Sequence, residues 1–189
     1  MKKRYIKVAA IQSAPILFDK PSAMDKIAQM TREAAGQGAA LIVFPEVFVP
    51  GYPRGLSFGT RVGSRNADGR RDWARYWASA IDVPGAETES WSELAKELGV
   101  YLVIGAVERD REYSTGTLYN SIVYIGPDGR LSGIHRKLVP TGSERLLWGQ
   151  GDGSTLTVID TPAARIGGLI CWENYNDKKQ EVVRTAGMS

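Results

Sequence analysis

Residues 39–44, Ala-Ala-Leu-Ile-Val-Phe, form the stretch that most restricts what this chain can fold into. The run is apolar without interruption and too short for an ordinary helix, as expected of a strand covered on both faces. A helical pattern over residues 22–35 precedes it, with Met24, Ile27, Ala28 and Ala35 roughly on one face and Gly36 as the stop. Before that lies a β-prone run at 7–11. Strand, helix and strand in that order predict a crossover and parallel pairing. With 43% hydrophobic residues in 189, the chain has enough apolar material for one sizeable core, and one domain is the default.

The pattern continues as α/β. A second helix is expected around residues 72–80, where Trp73, Tyr76, Trp77 and Ala80 recur at spacings of three and four. A third starts near Thr88, carries Trp91, Leu94, Ala95 and Leu98, and stops at Gly99. These aromatics read as core. Residues 100–107 form the next strand. Residues 118–125 and 131–134 flank Gly126-Pro127-Asp128-Gly129, a strong turn sequence, and read as a β-hairpin. A further strand pair, 156–159 with 165–170, surrounds Thr161-Pro162. The expected result is a mixed sheet with no internal repeat.

Composition narrows the function classes. One cysteine permits no intramolecular disulfide, and Met1-Lys2-Lys3-Arg4 opens onto an apolar stretch broken by Gln12 and Pro15, without a signal-peptide core. No apolar run approaches transmembrane length. These features predict a reducing, cytoplasmic setting and no membrane partner. The net charge of +3 raises nucleic acid as a partner, with Arg61, Arg65, Arg70, Arg71 and Arg75 close together. Asp68 and Asp72 lie within the same stretch, so it reads as a solvated face and no nucleic-acid partner is expected. A single histidine, His135, argues against most zinc hydrolase sites.

Three segments carry chemistry. Cys171 ends the run Arg165-Ile166-Gly167-Gly168-Leu169-Ile170 and precedes Trp172-Glu173-Asn174, so it is expected at a strand end, where a nucleophile can be presented beside free backbone N–H groups. On its own a lone cysteine reads instead as a small buried hydrophobe, and a thiol needs a base or cation to react at neutral pH. Glu46 follows the 39–44 strand and is expected to be walled by Phe44, Phe48 and Tyr52, a dry setting that suits a general base; a solvated loop acid is the competing reading. Lys137 lies in Gly133-Ile134-His135-Arg136-Lys137-Leu138, where it can supply a fixed positive charge, although three basic residues in a row commonly mark a solvated strand end. A Glu, a Lys and a Cys, each at a strand end in this order, are together specific.

On these residues the sequence resembles the nitrilase superfamily of carbon–nitrogen hydrolases. Phe44-Pro45-Glu46 with Pro50-Gly51-Tyr52-Pro53 is similar to the family's glutamate motif, and His135-Arg136-Lys137-Leu138 with Pro140-Thr141 to its lysine motif. Gly168-Leu169-Ile170-Cys171-Trp172-Glu173-Asn174 is similar to its cysteine motif, in the Cys-Trp-Glu form of the nitrilase branch. The resemblance implies the amino-terminal part of a nitrilase-type four-layer α-β-β-α sandwich. Residues 1–175 are then a carbon–nitrogen hydrolase domain incomplete at its carboxy-terminal side, and 176–189 a non-matching tail, as though the chain were truncated after the cysteine.

The resemblance also implies roles. Glu46, Lys137 and Cys171 become the catalytic triad, Glu144 an auxiliary acid that orients Lys137, with a surface ion pair as its competing reading, and the backbone N–H of Trp172 an oxyanion donor. The implied reaction is hydrolysis of a small-molecule nitrile to a carboxylic acid and ammonia through thioimidate and thioester intermediates, with no metal or organic cofactor. Amide or cyanide hydrolysis by the same triad, or an inactive remnant, are the alternatives. A homo-oligomer is expected of the full-length protein.

Overall fold

A computed structural model describes residues 5–64 and 66–175. The expected tail at 176–189 lies outside the described residues, as does Arg65. Five strands form one sheet in sequence order: β1 (Val8–Ala10), β2 (Leu41–Val43), β3 (Tyr101–Arg109), β4 (Leu118–Ile125) and β5 (Leu131–Arg136). The first three pair in parallel, with Ile42 level with both Ala9 and Leu102. The last three are antiparallel, so the sheet is mixed, as the sequence predicts. A second sheet holds β6 (Val158–Asp160) and β7 (Arg165–Gly167), antiparallel.

Helices supply the crossovers that parallel strands require. α1 (Lys20–Gly36) links β1 to β2; its amino terminus is capped by Asp19, whose carboxylate accepts the Ser22 N–H at 3.1 Å. α2 (Ala67–Ser79) and α3 (Ala86–Leu98) fill the span from β2 to β3. α2 starts five residues before the expected Asp72, because Asn66 caps it by accepting the Asp68 N–H at 2.8 Å. α3 stops at Gly99, whose left-handed φ of 65° suits glycine alone at no steric cost.

The apolar run of β2 is covered on both faces. Ile42 and Phe44 enter a core with Ile27, Trp91, Leu94, Leu102, Ile104 and Val123, beneath α1 and α3. Leu41 and Val43 point the other way, into a core with Val103, Tyr124, Ile159 and Ile166 beneath β6 and β7. The period of two in the strand thus sorts one apolar run between two cores. The layers among the described residues are helices, main sheet and second sheet. The face of α1 is rotated from the sequence reading: Ala23, Ile27, Thr31 and Ala34 are buried, while Met24, Ala28 and Ala35 flank the core. A third cluster seats α2 through Tyr76 and the Ala80 that caps its carboxy terminus against Val47, Val107, Leu118 and Trp148. Arg61, Arg70, Arg71 and Arg75 are exposed. No helix among the described residues is long and apolar enough to cross a membrane.

Candidate active site

The Glu46 turn is pressed directly onto the main sheet. The Phe44 N–H donates to the Val103 carbonyl at 2.8 Å and the Phe48 N–H to the Gly105 carbonyl at 2.8 Å, so the turn between them is tied to β3 at both ends. Phe48 packs against Phe44 inside the main core, with ring centroids 5.2 Å apart. It is therefore no wall of the carboxylate, contrary to the sequence expectation. Glu46 retains 27% side-chain exposure.

Lys137 sits one residue past β5, where its N–H donates to the Asn120 carbonyl at 2.8 Å. Its ammonium is fully buried, 2.9 Å from Glu46 Oε1 and 2.9 Å from Glu144 Oε2. Burial disfavours the charge, but the hydrogen bonds to Glu144 and Glu46 outweigh it and hold the Lys137 pKa above its ordinary value. The basic run at 135–137 is thus not a solvated strand end. Arg136 forms a fork on the buried Glu108 carboxylate, with Nε 3.1 Å and 3.0 Å from its two oxygens, and stacks 4.2 Å over the Tyr119 ring.

Glu144 is buried by a short 3₁₀ turn, Gly142–Leu146, that follows the lysine segment. Its Oε2 accepts the Thr141 N–H at 2.7 Å as well as Lys137, and its Oε1 accepts the Tyr52 hydroxyl at 2.9 Å. Burial, the bond to Glu144 and the charges of Glu144, Glu46 and Cys171 push the Tyr52 pKa up to about 12. Glu46, Lys137, Glu144 and Tyr52 therefore form one electrostatic cluster, with Cys171 within its reach.

Cys171 departs from the expected location. β7 ends at Gly167, four residues earlier, and Cys171 opens a 3₁₀ turn, Cys171–Tyr175, with a left-handed φ of 53°. For a residue with a Cβ that conformation costs roughly 1–2 kcal/mol. Strain of this kind persists where the surroundings over-determine it, and functional sites are where it collects. Cys171 is exposed and lines a cavity of about 260 Å³ together with Glu46, Gly105, Asn120 and Ile122. Trp172 is 63% exposed and its ring packs at a tilt of 45° against Tyr175, with centroids 5.2 Å apart, outside that cavity.

Two polar residues escape the sequence reading. Asn120 Nδ2 donates to Glu46 Oε1 at 2.7 Å, the same oxygen that Lys137 contacts. The polar pair Asn120-Ser121 inside an otherwise largely apolar hairpin strand is the available signal, because a buried amide needs partners. Glu173 is buried with His135, whose Nε2 lies 2.9 Å from Glu173 Oε2, so the only histidine is not part of the cavity lining. Burial raises the Glu173 pKa, yet hydrogen bonds from His135 and the N–H groups of Ile170 and Leu138 prevail and keep it low.

Comparison with known proteins agrees with this architecture. A family model described as carbon-nitrogen hydrolase matches residues 7–188. An aliphatic nitrilase of Sinorhizobium fredii is 50% identical over 169 residues, covering 89% of this chain and 53% of that protein. A bifunctional nitrilase/nitrile hydratase of Lupinus angustifolius is 45% identical over 181 residues, covering 96% and 50%. The chain spans about half the length of the curated relatives it matches. Among solved structures, a nitrilase-superfamily member from Saccharomyces cerevisiae superposes with a TM-score of 0.74 at 23% identity, over 96% of this chain and 61% of that one. An amidase from Nesterenkonia sp. gives 0.73 at 16% identity, over 99% and 63%. Its three-segment site, its mixed sheet and the family match over residues 7–188 make this chain a member of the carbon-nitrogen hydrolase family.

Proposed function

We propose that the cluster is the site of a nitrilase, with Cys171 as nucleophile, Glu46 as general base and Lys137 as the fixed cation. The observation that carries the reading is the Lys137 ammonium held 2.9 Å from Glu46 and 2.9 Å from Glu144, beside a cavity that Glu46 shares with the only thiol of the chain. Both bonds to Glu46 fall on Oε1. Oε2 has no hydrogen-bond partner among the described residues and is the oxygen available to take the thiol proton. Relatives described as an aliphatic nitrilase and as a nitrilase/nitrile hydratase support a nitrile as the small-molecule substrate.

The thiolate adds to the nitrile carbon, and the nitrogen takes a proton to give a covalent thioimidate. Water, deprotonated by Glu46, adds to that carbon; the tetrahedral adduct collapses, ammonia leaves and a thioester remains. A second water cleaves the thioester to the carboxylic acid and returns the proton to sulfur. Lys137 stabilises the negative charge that builds up in each addition, and the Trp172 N–H is the second donor to it. Glu144 holds Lys137 in place. In this reading no metal or organic cofactor takes part, the protein works in the cytoplasm, and the full-length protein assembles as a homo-oligomer.

The test is ammonia release from an aliphatic and an aromatic nitrile, measured on the 189-residue chain and on the chain extended by a family-length carboxy-terminal half. Turnover is expected from the extended protein and none from its Cys171→Ala variant. Undiminished turnover in Cys171→Ala removes the assignment.

A further inference from the structure

Glu173 belongs to the Cys-Trp-Glu motif yet does not itself line the cavity used in the mechanism above, and it is only 2% exposed. Its Oε1 accepts the Leu138 N–H at 2.9 Å. Its Oε2 accepts the Ile170 N–H at 2.8 Å and lies 2.9 Å from His135 Nε2. An ionised carboxylate only accepts, so His135 carries its proton on Nε2 and donates it here. The two backbone donors have chemical neighbours: Leu138 directly follows Lys137, and Ile170 directly precedes Cys171. One buried carboxylate is therefore bonded to the chain beside the cation and to the chain beside the nucleophile.

The cysteine turn is stitched from its own side as well, since the Glu173 N–H donates to the Ile170 carbonyl at 3.0 Å and Asn174 Nδ2 to the Cys171 carbonyl at 3.0 Å. Those bonds shape the turn without connecting it to β5. Glu173 makes that connection, through charge-assisted hydrogen bonds, which are short and directional. Cys171 meanwhile sits at a φ of 53° that its own backbone does not favour, so its placement depends on such restraints.

We propose that Glu173 is a positioning residue for the reaction, fixing the lysine-bearing strand end and the cysteine-bearing turn as one rigid unit, with His135 as the third strut. The proposal rests on the assignment of Cys171 and Lys137 to the chemistry. A carboxylate that merely stabilised the fold would lower the melting temperature and act independently of Lys137. A positioning carboxylate transmits its effect through the thiol-to-ammonium geometry, so its removal is felt only while the ammonium is present.

The experiment is a double-mutant cycle on the 189-residue chain, read as the alkylation rate of Cys171, its only thiol, by iodoacetamide, far below the melting temperature. Glu173→Gln keeps the shape but leaves one acceptor oxygen in place of two. Glu173→Gln is expected to slow alkylation about tenfold in the parent, as displacement of a reacting group does, and by less than about twofold in Lys137→Ala. If Glu173→Gln fails to fold, His135→Asn, which spares both backbone bonds, takes its place in the cycle with a smaller slowing of the same pattern. A parental rate in the first variant, or an equal slowing in both backgrounds, overturns the proposal. A parental rate in Lys137→Ala alone overturns instead the assignment of Lys137 on which it rests.

Discussion

A Cβ at Gly105 would stand 2.2 Å from the Pro45 carbonyl oxygen and 2.8 Å from the Glu46 Cα. No side-chain atom fits there, so the absence of one lets the Glu46 turn lie flat on β3 and present its carboxylate to Lys137 and Asn120. Gly105→Ala is expected to lose about 1–3 kcal/mol, as over-packing against backbone does, and to slow Cys171 alkylation by displacing Glu46. Gly116, with nothing within 4 Å of its position, is the control. Gly116→Ala is expected within about 0.5 kcal/mol of the parent. Urea denaturation of both variants decides, and equal stabilities would mean that the turn is held by other contacts.

Lys137 without its charge leaves two carboxylates beside an apolar stem. Lys137→Met is expected to cost about 3–5 kcal/mol in urea denaturation, the range for removing one partner of a buried ion pair. Pairing it with Glu144→Gln should recover part of that loss, because the buried Glu144 no longer carries an uncompensated charge. Strict additivity of the two losses would contradict the shared ion pair.

Much of the candidate site is legible in the sequence. Glu46, Lys137 and Glu144 meet because strand order and register put the ends of β2 and β5 on one side of the sheet, and apolar runs broken by turn residues are enough to suggest such an order. The cysteine geometry was not legible. Gly168-Leu169-Ile170 is as apolar as a strand, but β7 stops at Gly167, where a Gly168 Cβ would meet the Tyr124 hydroxyl at 2.7 Å. The wall around Glu46 was misjudged for a related reason: Phe48 has the right spacing, yet a bend in the backbone with Val47 at a φ of 49° sends its ring into the main core. Sequence periodicity reports which residues are buried, and says little about direction once the backbone leaves the regular dihedrals.

Tyr52 gives an alkaline signature. Its folded pKa is raised from 10.0 to about 12, so the folded protein holds that proton more tightly than the unfolded chain does. The resulting stability is fully present below pH 10 and is lost as pH rises through about 12. Tyr52→Phe should flatten this limb of a urea-midpoint profile and, by leaving Glu144 one donor short, cost about 1–2 kcal/mol at pH 7. An unchanged limb in Tyr52→Phe would assign the alkaline loss to other groups.

The acid limb belongs in part to Asp82. Hydrogen bonds from Arg111, opposed by partial burial and reinforced by Arg109, lower its pKa from 3.8 to about 2. The contribution is present above pH 3.8 and disappears as pH falls through about 2. Asp82→Asn should show a shallower fall in thermal midpoint between those values, and less stability than the parent at pH 7. An Asp82→Asn profile parallel to the parent's would contradict it.

Cys171 gives a test in which stability and function separate. At an ordinary position, glycine is less stable than alanine by roughly 0.5–1 kcal/mol because it has more freedom to lose on folding. At a left-handed position the order reverses, since the Cβ of alanine carries a steric cost of roughly 1–2 kcal/mol that glycine escapes. With Cys171 at a φ of 53°, Cys171→Gly is therefore expected to be at least as stable as Cys171→Ala, although neither retains the thiol. If the turn is strained in order to present sulfur to the cavity, Cys171→Gly should also match or exceed the parent in thermal midpoint while losing all alkylation and turnover. A Cys171→Gly variant less stable than Cys171→Ala would show that residue 171 is not held in the left-handed region, and the constraint attributed to its neighbours would go with it.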